Sequence, residues 1–135
     1  MLKIVLGVIA GFVAWSILWV GSDQLLISFS PGWYGNHQYA FQAAMFNQAP
    51  FKPETTILLM HLVRAAIFSI MAGFLAAMVA GENRRAPLAL GILLLLLGAV
   101  VQAWAWSYLP IWYHLIFLVL LVPLTILGGR MKQTA

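Results

Sequence analysis

Four long apolar runs, parted by polar or proline-bearing breaks, divide the chain at about residues 4–29, 54–81, 87–108 and 110–128. Each is close to or above the roughly 20 residues that a helix needs to cross a bilayer core, the last only barely. The pattern predicts an all-α membrane protein: one domain, built as a four-transmembrane-helix bundle. In the second run His61, Ala65, Ser69, Gly73, Ala77 and Gly81 recur every four residues, which puts small side chains down one helix face. Arg64 stands three residues after His61, about 60° around the helix, so the two heads can reach one space. Similar stripes mark the other runs. Gly7, Gly11 and Ala14 share a face, as do Gly91, Leu95, Gly98, Gln102 and Ala105, and as do His114, Leu118, Leu121 and Thr125. Gln102 and His114 therefore belong to packing faces.

The breaks predict how the runs connect. Ser30-Pro31-Gly32 ends the first helix, and residues 30–53 form the one long connection. His37, Phe41, Ala44, Met45 and Gln48 fall there at helical spacing, predicting a short interfacial helix over 36–48 with Trp33, Tyr34 and Tyr39 as headgroup anchors. A lid over a pocket is the other reading of this segment. Pro53 opens the second run, Glu82-Asn83-Arg84-Arg85 is a tight polar turn, and Pro87 starts the third run. Residues 107–110 form a short turn. Pro123 predicts a mild kink, and Gly128-Gly129 is expected to end the last helix before Arg130 and Lys132.

Composition agrees with lipid as the solvent: 64% of residues are hydrophobic and 7% charged, against roughly 25% charged in an average soluble domain. No cysteine is present, which excludes disulfides, thiol redox relays and thiolate metal sites. The net charge of +4 reads as topology rather than nucleic-acid binding. Lys3, Arg84, Arg85, Arg130 and Lys132 fall at the start, the second connection and the end, whereas Lys52 alone falls in the first connection. Positive segments stay inside, so both termini are expected to be cytoplasmic in a bacterial inner membrane. Trp33, Tyr34, Trp104, Trp106, Tyr108, Trp112 and Tyr113 gather at the opposite, outer end. The first run, after Lys3, loosely imitates a secretory leader, but it is longer than the usual apolar core of roughly 7 to 15 residues and reads as a retained span.

Polar side chains from all four runs come to nearly one level. Counting inward at 1.5 Å per residue, Asp23, His61, Arg64, Gln102 and His114 lie roughly 6 to 14 Å from the outer helix ends. Arg64 leans toward its helix's outer N-terminus, so an Asp23–Arg64 ion pair is expected, with Trp15 and Trp19 as flat apolar walls. Three readings are open. The cluster locks four helices in register; or it is a pocket in which Arg64 holds an anionic group while His61 and His114 hydrogen-bond; or His61 and His114 ligate a b-type haem, although none is expected to be required. No metal is expected, because no carboxylate has ligand spacing to His37, His61 or His114. No nucleophile constellation or phosphate-binding glycine motif is present.

The function these residues suggest is binding without catalysis: an amphipathic or anionic ligand, a lipid or a membrane partner held in an outer-leaflet polar pocket. A homo-oligomeric small-solute transporter, or an accessory subunit of a larger membrane complex, is the alternative. Trp112-Tyr113-His114, Pro123 and Gly128-Gly129-Arg130 together are similar to small uncharacterised bacterial membrane proteins with four predicted spans. That resemblance implies the architecture and no activity.

Overall fold

Pro31 cannot donate to an α-helical ladder, and the first helix stops just before it. The computed structural model describes residues 2–47 and 51–131. In it α1 (Leu2–Phe29) leads through a wide π-type turn (Pro31–Gly35) straight into α2 (Asn36–Asn47). Three further helices follow: α3 (Thr55–Ala80), α4 (Arg85–Trp104) and, after a 3-10 turn at Trp106–Tyr108, α5 (Ile111–Arg130). Every element among the described residues is helical, and α1, α3, α4 and α5 are long and apolar enough to cross a membrane. Gln48 and Lys132 lie outside the described residues.

The small-residue stripe makes α3 the central helix, packed on α1 and on α5, while α4 packs mainly on α5. Ala65, Ser69 and Ala77 are fully buried, and Ala72 and Ala76 widen the close-packing face. Gly81 departs from the stripe. Its φ of +71° is the left-handed cap that ends α3, and its N–H donates to the Ala77 carbonyl. On α1, Gly7 lies against the Ala76 carbonyl and Ala80, and Gly11 against the Ala72 carbonyl and Leu90. Small side chains thus allow backbone-to-side-chain contact between the N-terminal half of α1 and the C-terminal half of α3.

The α3–α5 crossing is closer still. Gly73 abuts the backbone of Thr125, and Gly128 abuts the backbone of Ile70. This corrects the expected helix end at Gly128-Gly129: α5 runs on to Arg130, with Gly128 at the crossing and Gly129 against Pro87. Glycine here serves approach rather than termination. The third apolar run also differs from its sequence reading, α4 beginning at Arg85 and ending at Trp104. Glu82 explains the early start, because its carboxylate accepts from the backbone N–H groups of Arg84, Arg85 and Ala86 at 3.2, 2.9 and 2.6 Å. Slight burial alone would raise its pKa; those N–H bonds and the Arg85 charge outweigh it and hold the carboxyl below its ordinary value.

Away from these seams the helices expose an apolar belt. Leu59, Val63, Ile67 and Met71 follow one another along α3, and Ile92, Leu96 and Val100 along α4. Such rows suit lipid, not water.

Candidate functional site

Arg64 organises the half of the bundle nearest α2. A guanidinium has five N–H donors and no acceptor, and here every donor has a place to go. Nε donates to Ser22 Oγ at 3.1 Å and Nη2 to Ser22 Oγ and the Trp19 carbonyl, both at 2.8 Å. Nη1 donates to the Tyr34 hydroxyl at 2.7 Å and faces His61 Nδ1 at 3.1 Å. Asp23 Oδ1 stands 3.7 Å from Nη1. The guanidinium carbon also sits 4.2 Å over the Trp19 ring, which stacks on Trp15 at 5.3 Å and 3°. Trp15 is anchored in turn, its Nε1–H donating to Ser69 Oγ at 3.3 Å.

The connection after α1 completes this centre. Tyr34 is fully buried, its hydroxyl donating to Asp23 while accepting from Arg64. Burial, then the hydrogen bond to Asp23, push the Tyr34 phenol well above its ordinary pKa, against the opposing charge of Arg64. It stays protonated, as a donor must. Gln38 Nε2 adds a second bond to Asp23 at 3.2 Å, one helical turn beyond Tyr34. Farther out, Glu54 accepts from Trp33 Nε1 at 2.6 Å, and its backbone N–H donates to His37 Nε2 at 3.2 Å. Tyr34 is therefore not the headgroup anchor that its aromatic setting suggested; Trp33 and Tyr39 remain exposed, whereas Tyr34 is a buried bridge.

A cavity of about 340 Å³ lies beside this centre, between the C-terminal parts of α1 and α4. Its origin is in the sequence. The two helices meet at Gly11 and Leu90, but toward the α2 end Phe12, Trp15 and Trp19 line the space between them, and Gly98 lets α5 come close, since a Cβ there would meet Leu121, Leu118 and Phe117. Tyr113, Phe117 and Leu121 of α5 form the floor, and His37, Gln38 and Phe41 of α2 cover the outer end. Leu97 and Val101 line the cavity yet are 42% and 51% exposed, so it opens sideways to the surface that suits lipid. A second, wide-open apolar groove of about 620 Å³ runs between α1 and α3, on the side where Arg64 and Ser22 reach the surface.

No family model, curated protein or solved structure matches this chain. Geometry alone must then decide what the cluster can do.

The residues singled out by sequence fall into three groups. Trp15, Trp19, His61 and Gln102 line the cavity. Asp23 and Arg64 pair behind His61 and do not line it; Arg64 borders the groove between α1 and α3 instead, with its donors engaged within the protein. His114 is fully buried apart from the cavity, stacked on Trp106 at 4.5 Å. Its Nδ1 bonds to the Gln102 carboxamide and its Nε2 faces the Trp106 carbonyl at 3.2 Å. With both ring nitrogens engaged, His114 has no free lone pair for a haem iron.

Ser22, Tyr34 and Gln38 escaped the sequence reading. A signal did exist for two of them: Tyr34, Gln38 and Phe41 continue one helical face at i, i+4 and i+7, and the proline-glycine break at 31–32 hid its first turn.

Proposed function

We propose that this chain is a non-catalytic, multi-pass membrane protein that takes an amphipathic molecule sideways from the bilayer into the cavity between α1 and α4. The observation that carries this reading is the cavity itself: apolar along most of its wall, open toward the lipid-suited face, and bordered by a few convergent polar groups. Its volume falls within the roughly 300–1,000 Å³ of small-molecule sites. Of the polar lining residues, His37, Gln38, His61 and Gln102 gather toward the α2 end and Ser16 lies deeper, among otherwise apolar residues. An amphipath would place its head under α2 and its body against the tryptophans. The Arg64 centre then has a supporting role, fixing α1, α3 and the Tyr34 segment so that the cavity keeps its shape.

Val101 is half-exposed at the mouth, so Val101→Trp should block entry without disturbing the core. An alkyl amphipath carrying a photoreactive diazirine is expected to label the Trp15–Trp19 stretch of the wild-type protein in bilayers, and to lose that label in the variant. Equal labelling of both proteins, or labelling confined to the Leu59–Val63 groove, would overturn the proposal.

In the same reading the protein sits in a bacterial inner membrane with both termini cytoplasmic, and α2 lies at the outer interface. The segregation of Lys3, Arg84, Arg85, Arg130 and Lys132 from the aromatic end supports this orientation. Single cysteines at Tyr39 and Gln133 test it. An impermeant thiol reagent applied to intact spheroplasts should label position 39 and spare 133, and the reverse pattern would invert the topology.

A further inference from the structure

We infer that the cavity selects an uncharged, flat, carbonyl-bearing ring with an apolar tail, such as a lipid-soluble quinone, held by a hydrogen bond from His61 Nε2 to the carbonyl oxygen. This rests on the cavity being a binding site. The first step is the protonation of His61. Arg64 Nη1 faces His61 Nδ1 at 3.1 Å, and an arginine can only donate, so Nδ1 must accept. The ring proton is thereby assigned to Nε2. His61 is 7% exposed and lines the cavity, and no hydrogen bond from Nε2 is found among the described residues; since no fully buried side-chain nitrogen or oxygen there lacks a partner, Nε2 reaches the open space of the cavity. A nearly buried N–H facing such a space calls for an acceptor.

Charge and shape narrow that acceptor. Among the described residues no aspartate, glutamate, lysine or arginine lines the cavity; nearby Arg64 has its donors taken and Asp23 beside it, and both ring nitrogens of the lining His37 are engaged, by Gln38 and by the Glu54 backbone N–H. An anionic head would be desolvated with no free counter-charge, which favours a neutral oxygen. The walls are flat. Trp15 and Trp19 are parallel within 3°, and Phe117 meets Trp19 edge-on at 82° and 6.1 Å. A planar ring fits such surfaces by offset or edge-to-face contact. The tail leaves between Leu97 and Val101, where the cavity opens.

Calorimetric titration of the full chain in nanodiscs, against empty-disc blanks, with decyl-benzoquinone, decylbenzene and decanoate tests the inference. The quinone is expected to bind about three- to tenfold more tightly than decylbenzene, the worth of one neutral hydrogen bond, and more tightly than decanoate. Equal affinities for quinone and decylbenzene, or tightest binding of decanoate, would overturn the inference while leaving a binding cavity in place. Absence of binding by all three would remove the cavity reading with it. His61→Leu should erase the quinone's advantage. His61→Gln, which keeps an acceptor for Arg64 and an N–H for the cavity, should retain most of it; a full advantage in a folded His61→Leu protein would also overturn the inference. Should His61→Leu fail to fold, the ligand series and His61→Gln decide the matter.

Discussion

Arg64→Met is expected to destabilise the protein in detergent by about 3–5 kcal/mol, the range for removing one member of a buried charge pair. Asp23 would lose its cation, and Ser22, Tyr34, His61 and the Trp19 carbonyl would each lose a donor. Asp23→Leu should also be costly, because it leaves a nearly buried guanidinium with neutral acceptors only. Sequence reasoning treats the two residues as a simple pair, so that Asp23→Leu with Arg64→Met should recover most of the loss. The hydrogen bonds change that expectation. Removing both charges relieves only the Asp23 part, and the double variant should stay about 1–3 kcal/mol below wild type, the cost of the acceptors left without donors. Equilibrium denaturation of the four proteins in one detergent gives the cycle. A double variant that loses the sum of the two singles would show the residues to be uncoupled.

At the α3–α5 crossing even one methyl group should matter. Gly128→Ala or Gly73→Ala would set a Cβ against a backbone carbonyl, of Ile70 or Thr125 respectively, where no flexible side-chain end can move aside. Each is expected to cost about 1–3 kcal/mol in spite of the roughly 1 kcal/mol by which alanine favours a helix interior. Gly21→Ala supplies the control, since a Cβ there meets nothing within 4 Å. It should be neutral or stabilising. If Gly128→Ala and Gly21→Ala behave alike in the same denaturation experiment, the helices do not cross as closely as described.

Much of the scaffold was legible in the chain because lipid-crossing helices announce themselves by length and apolarity. The Asp23–Arg64 proximity was legible too, since the expense of an arginine inside a span demands a partner. Gly128 was misread because glycine has two uses, ending a helix and admitting a neighbour, and only the position of α3 tells them apart. Tyr34 was misread for a related reason. An aromatic near a span end is an ordinary interface anchor, and the fold of the connection, not its composition, turned this one inward. The level of the cavity was legible, since Trp15, Trp19, His61 and Gln102 line it, but its place between α1 and α4 was not: that follows from where the two helices part.

The Arg64 centre also has an order in time. Trp19, Ser22, Asp23, Tyr34 and His61, which supply its acceptors and counter-charge, all precede it in the chain. Thirty residues separate Tyr34 from Arg64, about 2 to 6 s of synthesis at roughly 5–20 residues per second. The residue that hydrocarbon tolerates least is therefore made last, after every group that satisfies it has already left the ribosome's catalytic centre.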